Sequence, residues 1–181
     1  MTKTMCVLLL GMLISFGAYA KVKPGSTPPN NLGKTLQGKQ IMVSALRGEV
    51  VVISFWATWC HYCMEELPIL AGLQSVAAKK GLKMQVVAVD YRQTLHTFAE
   101  ASRLLNSRLP NLLVTRDFNG KIGKPYGADK GIPVMVMLHR DGTVAYVHVG
   151  YSKSELDTLI AEINDLLNEP AKPANGITSN P

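Results

Sequence analysis

At 181 residues, with 47% apolar and 18% charged residues, the chain has the size and composition of one globular domain with extra sequence at its ends. Its formal charge of +6 is mildly basic. The lysines and arginines are dispersed and do not interleave with aromatic residues, so no nucleic-acid groove is expected and the charge reads as a solvated surface.

The first twenty residues stand apart. Lys3 precedes an apolar stretch, Met5 to Gly17, and Ala18-Tyr19-Ala20 supplies the small-x-small pattern of a signal-peptidase site. Residues 1–20 are therefore expected to be a secretory signal and the protein periplasmic. An uncleaved anchor is the lesser reading, because the stretch is shorter than the ~20 residues a spanning helix needs. Cys6 lies inside this segment, so removal of the signal leaves Cys60 and Cys63.

Residues 21–33, rich in proline, glycine and polar side chains, read as a flexible leader, and 34–169 as the folded domain. Val50 to Phe55 is an apolar run without alternation, as in a strand covered on both faces. It leads into Trp56-Ala57-Thr58-Trp59-Cys60, after which a helical stripe of Leu67, Leu70, Leu73 and Ala77 runs to about Lys80, with a kink expected at Pro68. Met84 to Val89 reads as a second buried strand, Gln93 to about Leu105 as a helix, and Leu112 to Thr115 as a short strand. Val134 to Leu138 and Thr143 to Val149 flank Arg140-Asp141-Gly142, a hairpin signal. Ser152 and Glu155 form an expected capping box ahead of Leu156, Leu159, Ile160, Ile163, Leu166 and Leu167. Residues 170–181 read as a disordered tail. The order predicts an α/β fold, a central mixed β-sheet flanked by helices on both faces.

Two cysteines separated by two residues close too small a loop to staple a fold, but they make an exchangeable disulfide. In an exported protein such a pair is either redox chemistry or part of a metal site. Thiol–disulfide exchange needs one thiolate that attacks and a second thiol that resolves the mixed disulfide. A strand-to-helix junction supplies both. Cys60 falls at the first helical turn, where free N–H groups and the helix dipole favour a negative sulfur, and Cys63 lies one turn further on the same face. His96, His139 and His148 are isolated and read as satisfied surface or strand residues. No phosphate-binding loop, paired carboxylates or serine–histidine–acid signature is present.

The segment Phe55 to Cys63, with Glu66 and Pro68 following, resembles the active-site segment of the thioredoxin superfamily, and most of all its exported TlpA/ResA-like branch. The resemblance spans roughly residues 35–168 and includes a second motif, Gly131-Ile132-Pro133. It implies a thioredoxin-like fold and a protein thiol–disulfide oxidoreductase needing no cofactor beyond a Cys60–Cys63 disulfide. It further implies a cis Pro133 packed beside the cysteines, with Ile132 backbone groups left to pair with an extended substrate strand. Glu66 would manage the proton on Cys63. Trp59, His61 and Tyr62 would join Ile132 and Pro133 in meeting the substrate. The implied partners are protein disulfides or dithiols, such as apocytochrome c or copper-protein assembly factors, and a membrane thiol transporter that donates electrons.

Three positions depart from the family pattern. Ser54 stands where thioredoxin has a buried aspartate and cannot act as a base near neutral pH, which places more weight on Glu66. His61-Tyr62 is neither the Gly-Pro of thioredoxin nor the Pro-His of the strong periplasmic oxidant; a protonated His61 would favour the Cys60 thiolate and a more oxidising pair. Ile132 replaces the threonine before the cis-proline. Competing readings are a disulfide oxidase or isomerase, a Cu(I) metallochaperone using the two thiolates, and a passive interaction domain.

Overall fold

The structure, a computed structural model, describes residues 21–170. The expected signal, and the expected tail beyond Pro170, lie outside the described residues. The elements in chain order are β1 (Asn31–Lys34), β2 (Gln40–Met42), a 3-10 turn (Val43–Leu46), β3 (Val50–Trp56), α1 (His61–Lys79), β4 (Met84–Tyr91) and α2 (Leu95–Arg108). They continue with β5 (Leu113–Asp117), a second 3-10 turn (Lys124–Tyr126), β6 (Val134–Leu138), β7 (Val144–Val149), a third 3-10 turn (Lys153–Glu155) and α3 (Leu156–Asn168).

The strands form one mixed sheet in the order β2-β1-β5-β4-β3-β6-β7. β3, β4 and β5 run parallel, joined by α1 and α2; the outer pairings are antiparallel. Every residue of β3 is buried, because both faces of this strand are covered and neither can carry polar side chains unpaired. Val50, Val52 and Trp56 share one core cluster with Leu67 and Leu70 of α1, Phe98 of α2 and Ile163 of α3. Val51, Ile53 and Phe55 pack on the other side with Val22, Val43 and Tyr126. All three α-helices thus cover one face, and the two 3-10 turns at Val43 and Tyr126 cover the other together with the N-terminal segment.

That last element corrects the expected leader. Val22 and Leu32 are buried, and β1 begins at Asn31. The segment is bound along its length: Val22 N–H donates to Pro125 O (3.0 Å), Tyr126 OH to Pro29 O (2.9 Å), and Thr115 Oγ1 to Leu32 O (2.5 Å). Its prolines and glycines serve a tight path over the sheet. Gly33, at φ +91°, passes so close to β5 that a Cβ would stand 2.6 Å from Arg116 O.

Two helix expectations also change. The helix α1 runs continuously through Pro68, whose missing N–H lies on the exposed side of the helix, where water can serve the freed carbonyl. The capping box at Ser152 does not form: Ser152 Oγ accepts from Ser154 N–H within a 3-10 turn, and α3 starts after Glu155 without a side-chain cap. The hairpin turn forms as expected, Asp141 Oδ1 accepting from Thr143 N–H (3.0 Å) with Gly142 at φ +83°.

Candidate active site

Parallel strands of an α/β sheet open their carboxyl ends to ligands, and β3 delivers the cysteine motif there. Trp56 ends the strand, Ala57 to Trp59 make the turn, and Cys60 is the N-cap of α1. Cys60 Sγ accepts a hydrogen bond from Cys63 N–H (3.3 Å), one of the unpaired donors of the first turn. The two cysteines form a disulfide with Cα atoms 5.3 Å apart. Cys60 retains 6% exposure and Cys63 none, so only the first sulfur can be reached by an incoming partner.

Around Cys60 the surface is apolar and open. Trp59 is 70% and Tyr62 58% exposed, a cost that a folded monomer gains nothing from and that fits a contact surface. The Ile132–Pro133 bond is cis. Val134 pairs with Phe55 near the end of β3, so Pro133, buried at the start of β6, lies at the sheet end that carries the cysteines. Ile132 is half-buried and touches both core clusters. His61 extends into solvent, its Nε2 3.2 Å from Glu65 Oε1; Lys153 Nζ holds the other Glu65 oxygen at 3.3 Å. Of the two adjacent acids, Glu65 is therefore the surface one.

Glu66 is fully buried, one turn along α1 from Cys63 on the same inner side. Ser54 Oγ donates to its Oε1 (2.7 Å), and Oε2 has no protein partner. Burial pushes the Glu66 carboxyl up to about 7, against smaller opposing effects of the Ser54 hydroxyl and His148. A carboxyl there can exchange a proton at neutral pH, which an exposed glutamate cannot. Ser54, which stands where thioredoxin has a buried aspartate, is thus a hydrogen-bond donor to Glu66.

One part of the site escaped the sequence. Thr58, in the turn before Cys60, donates through N–H (3.2 Å) and Oγ1 (2.6 Å) to Gln93 Oε1. Gln93 Nε2 in turn donates to Asp90 Oδ1, and Arg116 donates to Gln93 O (2.8 Å). Asp90 is buried at the end of β4, and burial lifts its carboxyl to about 6 despite the Gln93 bond and Arg116. The available signal was Asp90 itself, an acid at the end of an otherwise apolar parallel strand. Among the described residues no three histidine, cysteine or acidic side chains gather as a metal site.

A buried helix-capping disulfide, at the sheet end where a cis-proline leads into β6, on a mixed sheet with its helices packed over β3, defines a thioredoxin-like thiol–disulfide oxidoreductase. Residues 23–165 match the Redoxin family model, and the chain belongs to that family. Among curated proteins it is similar to the thiol-disulfide oxidoreductase ResA of Bacillus cereus, 26% identical over 89% of this chain and 94% of that protein. It is also similar to the thioredoxin-like protein YneN of Bacillus subtilis, 27% identical over 86% of this chain and 95% of that one. A solved structure from Chlorobium tepidum, assigned as a thiol:disulfide interchange protein DsbE, superposes with a TM-score of 0.69 at 28% identity, covering 81% of this chain and 99% of the other.

Proposed function

We propose that this chain is an extracytoplasmic reductase of protein disulfides, working through Cys60 and Cys63 with no further cofactor. The Cys60 thiolate attacks one sulfur of a substrate disulfide and expels the other as a thiolate. The Cys63 thiol gives its proton to the Glu66 carboxylate, and the new thiolate attacks the Cys60 sulfur of the mixed disulfide. The products are the Cys60–Cys63 disulfide and a substrate carrying both electrons as a dithiol. Trp59, Tyr62, Ile132 and Pro133 receive the substrate strand, and His61 lies at its edge. A membrane thiol transporter restores the dithiol, and the proposed clients are proteins of cytochrome c or copper-protein maturation.

The observation that carries this reading is the buried carboxyl of Glu66 beneath Cys63, held by Ser54 and lifted to about 7. It allows the buried resolving thiol to be deprotonated near neutral pH. Two measurements test it. Cys60→Ser abolishes reduction of a protein disulfide; full activity in that variant ends the assignment. The equilibrium potential of the pair in a thiol buffer falls near the thioredoxin value of about −270 mV, whereas a value near about −120 mV would make it an oxidase.

A further inference from the structure

A buried acid that handles protons must respond to a charge outside its own pocket, and the sheet register shows where one stands. Ser54 pairs with Met135, and Met135 pairs with His148. Residues paired directly across a sheet point to the same face. Ser54, Met135 and His148 therefore form one row across β3, β6 and β7, on the face covered by α1 and α3. With strands about 4.8 Å apart, the row places His148 about 10 Å from the serine that binds Glu66.

Between them lies Met135, at 4% exposure, so the space is apolar and screens charge weakly. His148 is fixed by α3, its Nε2 2.6 Å from Glu162 Oε2, with the two side chains 25% and 17% exposed. A cavity of about 20 Å³ borders Met135, His148 and Tyr151, room for about one water. The Tyr151 hydroxyl and Glu66 Oε2 are both buried without a protein partner. The polar and ionisable groups facing this region are thus Ser54 from β3, Cys63 and Glu66 from α1, His148 from β7, Glu162 from α3, Tyr151 and Ser152 from the connecting loop, and Glu155 from the third 3-10 turn. Glu65 is occupied outside by His61 and Lys153.

We infer that His148, held by Glu162, is a positioning residue that acts through Glu66, its positive charge setting the pH at which Glu66 takes the proton of Cys63. The inference rests on the role proposed for Glu66. The effect is electrostatic, consistent with the direction in which His148 moves the Glu66 carboxyl.

The test is the pH profile of single-turnover reduction of a protein disulfide by the fully reduced protein, with a parallel carbon-13 NMR titration of the Glu66 carboxyl. E66Q removes the inflection belonging to Glu66. H148Q, which keeps a hydrogen-bonding side chain without the charge, moves that inflection upward by about 0.5 pH unit. H148K, with a permanent charge, leaves it at or below the wild-type position. An unmoved inflection in H148Q, or a shift of both variants in the same direction, overturns the inference and leaves Glu66 in its role. An inflection that survives in E66Q overturns the role of Glu66 and this inference with it. If H148Q does not fold, an inflection in H148K above the wild-type position is the overturning result.

Discussion

Glu66 is held where its charge is costly. In the unfolded chain it ionises near its ordinary value of 4.5, while in the fold it keeps its proton to about 7. Its protonated form therefore contributes stability that is complete below pH 4.5 and is lost as the pH rises through 7. The difference corresponds to roughly 3 kcal/mol at alkaline pH. Glu66→Gln is expected to raise the stability of the oxidised protein at pH 8 by up to about that amount and to leave it nearly unchanged at pH 4, read from denaturant melts at the two pH values. The same variant slows disulfide reduction about 100-fold at pH 7, since it loses the base for Cys63. A protein that becomes more stable and less active by one substitution would show that the acid is retained for chemistry. Equal stability at both pH values would show that it is not buried in solution as described.

The turn that carries Cys60 is fixed from β4 and β5 as well as from its own helix. Thr58 is held twice by Gln93, and Gln93 by Asp90 and Arg116. Gln93→Ala removes the acceptor of two bonds and leaves buried Asp90 without its donor, a loss of about 1–3 kcal/mol. Amide exchange at Thr58, Trp59 and Cys60 should quicken beyond any change in global stability; unchanged local protection would assign Gln93 to the core alone. This arrangement was not legible in the sequence, where Gln93 read as the first residue of the second helix; the helix begins at Leu95, capped by Thr94, and leaves Gln93 in the loop before it. The strands β3, β4 and β6 were legible, since an unbroken apolar run has few other uses in a chain of this composition. So were Cys60, Cys63 and Pro133, which their neighbours mark. Glu66 could be separated from Glu65 only through the family resemblance; its burial and the bond from Ser54 needed the structure. His148 read as a satisfied strand residue, and its bond to Glu162 agrees with that; its alignment with Ser54 emerges only from the register of three strands.

At the scale of the molecule, the sheet has two unlike coverings: three α-helices over the face that holds Glu66, and short turns with the N-terminal segment over the other. Proline, glycine and polar residues made residues 21–33 look like a free leader, because composition records the lack of regular structure and not the lack of contacts. Leu32→Ala should cost about 2–4 kcal/mol, as for other buried leucines, with a matching fall in melting temperature. Gly33→Ala should also destabilise, since its Cβ meets a backbone carbonyl that cannot move without parting β1 from β5. A melting temperature unchanged in both variants would return the segment to the status of a leader.

The seat of that segment is built from residues far along the chain. Leu32 is held by Thr115, Lys34 pairs with Arg116, Val22 donates to Pro125, and Gly25 donates to Val144. During synthesis, which proceeds from the N-terminus, residues 22–34 emerge before the residues that hold them and are among the last that can find their places. Until β5 and the β6–β7 hairpin have followed, Ile53, Phe55 and Val87 lack part of their cover, and the growing chain presents an apolar sheet face to its surroundings. Placement of residues 22–34 therefore waits on strands that come later in the chain, and until then the face of Ile53, Phe55 and Val87 is the part of the core most open to the wrong partners.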